Sequence, residues 1–183
     1  MDIQRDLYIS FEEYLTIAET ERAEYIDGRV FLQASPTFEH QNIIGKLYIK
    51  LMEFFKEKNC IPIISPFDVI LEREREKNVV QPDLTVICNK ENITSSGFKG
   101  VPELIIEVLS PSTASKDYIF KMNLYMRFGV KEYWIVNPKS KTIEIFTINE
   151  EGFYDMPLTY SINDVANSQI FTDLKVELRE IFF

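Results

Sequence analysis

The stretch "PELIIEVLSPST", Pro102 to Thr113, sets an acid inside an apolar run. Leu104, Ile105, Ile106, Val108 and Leu109 surround Glu107, the composition of a strand buried on both faces. Burying an ionised carboxylate costs several kcal/mol, on the order given for buried ions, unless a partner offsets it. The run therefore predicts a buried strand and a charged partner for Glu107 together. After it, a helix is expected from about Ser115 to Phe128, stopped by Gly129, and "KEYWIVNP" is the next strand. A strand–helix–strand unit of this kind crosses over right-handed and lays its two strands parallel.

Upstream of Glu103, two further strands are expected, Ile61 to Leu71 and Val79 to Cys88. The charged "EREREKN", Glu72 to Asn78, is expected as an exposed turn between them, and "NKENITSSGFKG", Asn89 to Gly100, as a mobile loop. Phe38 to Lys58 has helical spacing: Ile43, Ile44, Leu47, Leu51, Phe54 and Phe55 share one arc. Lys46, Lys50, Glu53 and Glu57 share the opposite arc, expected as a solvated face. Ser10 with Glu13 is a capping box opening a short helix through about Glu19. Asp27-Gly28 in "AEYIDGRVFLQA" marks a hairpin. Beyond the core, "TIEIFTI" alternates like a hairpin partner of "KEYWIVNP", and "LKVELREIFF" is a strand entering a closing helix. The order helix, three strands, helix, strand is α+β, with one mixed sheet flanked by helices in a single domain over residues 1–183.

Composition narrows the chemistry. The net charge of −9 opposes general affinity for nucleic acid, whose binding is mainly electrostatic. One histidine and two distant cysteines, Cys60 and Cys88, do not make a zinc set, so a bound metal should be a hard cation on oxygen. Cys60 and Cys88 match no CxxC pattern and are expected as free thiols in a reducing cytoplasm. No apolar stretch has the length of a membrane span, and "MDIQRDLYIS" lacks a signal-peptide core, so no membrane partner is expected.

Asp83, in "VVQPDLTVIC", is a second acid in an apolar strand, with Pro82 suiting the strand's start. If that strand neighbours the Glu103 strand, Asp83 and Glu107 meet at one end of the sheet. Two carboxylates so placed repel, raising a pKa, unless a metal or a cationic side chain completes the group. On the helix after Glu107, Lys121 falls in the arc of Tyr118, Leu124, Tyr125 and Phe128, and so points inward; Asp117 lies close to the same arc. Lys116, Asn123 and Arg127 fall on the outward arc. From spacing alone, a functional site and a buried ion-pair cluster that only fixes the packing stand about equal. Trp134, Tyr133 and Tyr125 lie in periodic apolar segments and belong to the core.

In order along the chain, "YIDGRV", "QPDLTVI", "PELIIEVLSPST", "KMNLYMRFGVKEYWIVNP" and "TIEIF" resemble the Uma-two family of endonucleases, within the restriction-endonuclease-like PD-(D/E)XK superfamily. The resemblance runs from about Ser10 to the C-terminus and implies an α-β-β-β-α-β core. It matches Asp83 to the motif aspartate and Glu107 to the motif glutamate. Leu109 stands where the superfamily lysine would be, and Lys121 is implied to take over that role from the helix. Glu24 matches an acid ahead of the first hairpin and is an outer-ligand candidate, although a strand-edge glutamate usually faces water. His40 matches a histidine at the start of the long helix, where it could fix a carboxylate. The implied activity is metal-dependent phosphodiester hydrolysis in nucleic acid, DNA first. Asp83, Glu107 and the Val108 carbonyl would hold Mg2+ or Mn2+, and the chain would work as a cytoplasmic homodimer. Affinity for phosphate is expected from Lys116, Lys121, Arg127 and the Arg73–Arg75 turn. Two other classes stay open: a non-catalytic nucleic-acid-binding or regulatory module, and a structural homo-oligomer.

Overall fold

The computed structural model describes residues 8–74, 76–110 and 116–183. Ser10 and Glu13 close the capping box of α1 (Phe11–Ala18), each side chain accepting the other's backbone N–H. A hairpin follows, β1 (Ala23–Ile26) and β2 (Arg29–Leu32). Asp27 and Gly28 both take positive φ, 50° and 76°, as a two-residue turn with the twist of the strands requires. Thr37 caps α2 (Phe38–Phe55), which ends before Lys58.

Two of the expected strands are each broken at a proline. Ile61 to Leu71 divides into β3 (Ile61–Ile64) and β4 (Val69–Arg73), with Pro66 between. Val79 to Cys88 divides between β5 (Glu76–Val80) and β6 (Leu84–Ile87), with Pro82 between. Proline has no N–H to give to a ladder, so each segment bends there and changes partner. β3 pairs with β6 in one sheet, and β4 with β5 in another. Two six-stranded mixed sheets result where one was expected.

The charged stretch 72–78 is mostly paired strand rather than turn. Glu72 faces Lys77, Arg73 faces Glu76, and Asn78 is fully buried. Asn89 to Gly100 is also ordered, as β7 (Ile93–Thr94) and β8 (Gly97–Lys99). Phe98 anchors it in the core, and β8 lies parallel to β4. One buried aromatic outweighs a polar composition there.

β9 (Leu104–Val108) and β10 (Glu132–Asn137) are parallel, with α3 (Met122–Phe128) between them, and Gly129 ends that helix at φ 83°. β11 (Thr142–Thr147) is the antiparallel partner of β10. The chain closes through β12 (Leu158–Tyr160), β13 (Val165–Asn167), β14 (Lys175–Glu177) and α4 (Leu178–Phe182). The six-stranded sheets run β2-β1-β5-β4-β8-β7 and β12-β11-β10-β9-β6-β3, each antiparallel except for one parallel pair, and β13 and β14 form a small antiparallel sheet of their own. Lys46 and Lys50 are not merely solvated: Lys46 donates to the Ile181 and Phe183 carbonyls, and Lys50 pairs with Glu180 at 2.6 Å.

Alternation along β9 sends its two faces into two cores. Leu104, Ile106 and Val108 pack with Ile43, Leu47 and Leu51 of α2. Ile105 and Leu109 pack with Leu124, Tyr125 and Phe128 of α3. Glu107 has the parity of that second face, toward α3. The expected free thiols are instead a disulfide between Cys60 and Cys88, Cα–Cα 3.9 Å. Their 28-residue separation concealed the pairing, but Ile61 faces Ile87 across β3 and β6, so the next positions face each other too. Among the described residues no helix is long and apolar enough to cross a membrane.

Candidate active site

β6 enters its sheet where β9 leaves it. Leu84 lies opposite Ile106, so Asp83, one residue earlier, comes opposite Glu107. The two strands clasp at this end. The Val108 amide donates to Asp83 Oδ2 at 2.8 Å, and the Asp83 amide lies 3.4 Å from Glu107 Oε2.

The partner of Glu107 is Lys121. Its Nζ donates to Glu107 Oε1 at 2.6 Å, beside the Tyr125 hydroxyl at 3.0 Å. The same ammonium lies 2.8 Å from Glu24 Oε1 and 3.8 Å from Asp117 Oδ1. Lys116 to Lys121 is a π-helical segment leading into α3. Its wider turn changes the facing of the first residues, so Lys116, expected outward, turns in and meets Glu24 Oε2 at 2.6 Å. The helix start expected at Ser115 lies outside the described residues.

Glu24 does not face water. It is fully buried, because β1 lies inside its sheet between β2 and β5 rather than at an edge. Besides the two lysines it accepts from the Gln81 amide at 2.8 Å. From the opposite side, His40 on the first turn of α2 brings Nε2 to 3.3 Å from Asp83 Oδ2. Its Nδ1 is buried with no hydrogen-bond partner among the described residues.

Three carboxylates, Glu107, Glu24 and Asp117, thus surround two ammonium groups, and Asp83 stands next to Glu107 as a fourth. Burial is the main cause that pushes Glu107 up to about 8; Lys121 opposes it, and Asp117, Asp83 and Glu24 add to it. Glu24 moves the other way, since Lys121 and Lys116 overcome its burial and hold it below the usual carboxylate range. Burial disfavours charge on Lys121, yet Glu107, Glu24 and Asp117 hold its pKa well above the ordinary lysine value. His40 is raised despite burial by Asp83 and, more weakly, by the Val108 carbonyl.

This excess of negative charge suits a divalent cation, and the donors on offer are hard oxygens. Among the described residues no three acidic, histidine or cysteine side chains converge closely enough to hold an ion alone. Two carboxylates with a carbonyl suit a small cation such as Mg2+, which retains several waters.

Asp83, Glu107, Lys121 and His40 line a cleft of about 790 Å³. The cations expected to meet phosphate are mostly engaged elsewhere. Arg127 pairs with Asp27 and Glu76 at 2.6 Å each, Arg73 lies over the Phe128 ring, and Lys116 and Lys121 are ion-paired inside. Arg75 lies outside the described residues. Arg22 and Arg29, which nothing in the sequence singled out, are exposed residues of the cleft wall. Tyr125, read as core, is core, but its hydroxyl also touches the acid.

The family model described as "Uma2: Putative restriction endonuclease" matches residues 11–179. The uncharacterized protein slr1290 of Synechocystis is 29% identical over 159 residues, which cover 85% of this chain and 82% of that one. The crystal structure of a "putative nuclease belonging to DUF820" from Anabaena variabilis superposes with a TM-score of 0.78, over 95% of this chain and 97% of that one. At 17% identity that likeness concerns the fold.

Proposed function

The chain belongs to the Uma2 family, and from that premise we propose that it is a metal-dependent nuclease hydrolysing phosphodiester bonds, DNA first. The observation that carries this reading is the contact of 2.6 Å between Lys121 and Glu107, beside Asp83 and open to a cleft. An acid pair with one ammonium at a strand end is what the chemistry of phosphodiester cleavage asks for. A divalent ion held by Asp83, Glu107 and the Val108 carbonyl would lower the pKa of a water and offset charge on the phosphate oxygens.

The chain's own groups supply the rest. Lys121 keeps its positive charge where negative charge grows on the phosphate, and it approaches from the π-helical segment, residue 109 being leucine. Glu24 and Asp117 hold Lys121 in place, so it need not reorganise during reaction. His40 steadies the Asp83 carboxylate from the α2 side. In this reading Glu24, expected from the sequence as an outer ligand, anchors the two lysines.

The test is a cleavage assay on plasmid, linear duplex, single-stranded DNA and RNA, with Mg2+ or Mn2+ against a chelator. Cleavage should require the ion and disappear in Asp83→Asn. No cleavage of any substrate, with the native chain folded, would leave the non-catalytic binding or regulatory module; the displaced lysine favours a non-catalytic role, and the net charge of −9 a regulatory one. Assembly as a homodimer belongs to the same proposal; sedimentation at micromolar concentration should give the mass of two chains, and only monomer would refute it.

A further inference from the structure

The depth of the charged group restricts what can reach it. Lys121 and Glu24 are buried and Glu107 is 4% exposed, whereas Asp83 and His40 keep side-chain exposures of 17% and 12%. A recess of this kind suits one strand better than the broad flank of a continuous duplex. On the wall of the same cleft stand two half-buried rings, Phe31 of β2 and Phe120 of the π-helical segment. Their centroids are 5.3 Å apart with planes at 53°. The Arg29 guanidinium lies over the Phe120 ring, 5.2 Å from its centroid, and Lys116 Nζ over the Phe31 ring, 5.9 Å from its centroid. Tyr133 and Trp134, by contrast, are fully enclosed. Neighbouring aromatic rings lining a groove, each with a cation at its face, are what unpaired bases stack on, the base joining or replacing the cation, since every base has a π-face.

Resting on the nuclease reading above, we propose that Phe31 and Phe120 form a stacking platform for an unpaired base beside the reacting phosphate. The substrate class is then single-stranded nucleic acid, or unpaired ends and flaps, in preference to continuous duplex. Phe120 and Lys121 are consecutive in the chain, so one turn of helix fixes base and phosphate together. Arg22 and Arg29 give the cleft local positive charge, in a molecule whose net charge of −9 otherwise repels a strand.

The experiment compares kcat/KM of the native chain, with Mg2+, on a single strand, the matching duplex and a strand made wholly of abasic residues. The single strand should be preferred by at least about tenfold, in the range of stacking on one or two rings. Phe31→Ala and Phe120→Ala should each lose roughly five- to a hundredfold on the single strand and markedly less on the abasic strand. Phe31→Trp should retain the native rate. Where alanine unfolds the chain, Phe31→Leu and Phe120→Leu fill the space without a π-face and should show the same selective loss. Duplex preference, or equal losses on the normal and abasic strands, would overturn the platform while leaving the nuclease reading intact. Absence of any cleavage by the native chain would overturn both.

Discussion

Lys121 is the cation shared by two buried carboxylates, Glu107 and Glu24, so its removal tests structure and chemistry at once. Lys121→Ala should cost roughly 3–5 kcal/mol in denaturant unfolding, the penalty for stranding buried charge, and abolish cleavage. Adding Leu109→Lys should restore part of the activity, because residue 109 projects from the strand face of Glu107. A displacement of about 1 Å can still cost roughly a hundredfold in rate. A stable, fully active Lys121→Ala variant would remove the residue from both roles. Protonation gives a second test at this scale. Burial raises the Glu107 carboxyl to about 8 in the fold, against 4.5 for an exposed one. Between those values the native state binds more protons, so stability falls as pH rises. His40, raised from 6.5, acts in the same direction: its contribution is whole below 6.5 and lost as pH climbs through the folded value. Metal-free protein should therefore melt lower at about pH 8 than at about pH 6, and Mg2+ should raise the melting temperature more at the higher pH. A metal-free melting temperature that climbs with pH over this range would show Glu107 already ionised.

At the scale of elements, the π-helical segment Lys116–Lys121 brings Lys116 and Lys121 onto the same glutamate. Deleting Ile119, which is 55% exposed, should return the segment to α-helical register. Lys116 and Asp117 would then rotate by about 100°, one residue's turn, away from Glu24 and Lys121. We expect retained helical circular dichroism, a lowered melting temperature and loss of cleavage. Unchanged activity would mean that Lys121 works without Lys116 behind it. Helical projection of the sequence put Lys121 inward but sent Lys116 outward, because it assumed a turn of 3.6 residues throughout. Likewise Pro66 and Pro82 were visible in the sequence, but what they did to the strands was not. A proline announces a break in a ladder without stating which sheet receives each half.

Across the whole molecule, the net charge of −9 and the recessed site make attraction to nucleic acid local. Binding of a labelled oligonucleotide should weaken steeply with salt, and Arg22→Ala with Arg29→Ala should flatten that dependence. A salt-independent Kd would contradict this. The α+β class, the capping box, the Asp27-Gly28 hairpin, the parallel β9–β10 pair and the inward Lys121 were all legible in the chain. Each follows from local chemistry or from periodicity, which neighbouring residues carry with them. Asp83 and Glu107 stood out because acids are costly inside apolar strands, and cost is readable from composition. Tertiary structure alone decided the rest: two six-stranded sheets instead of one, Cys60 bonded to Cys88, Glu24 buried under two lysines, and Arg22, Arg29, Phe31 and Phe120 around one cleft. The physical reason is that burial and partnership belong to pairs of segments distant in sequence. No window of sequence contains both members of such a pair until the fold has brought them together.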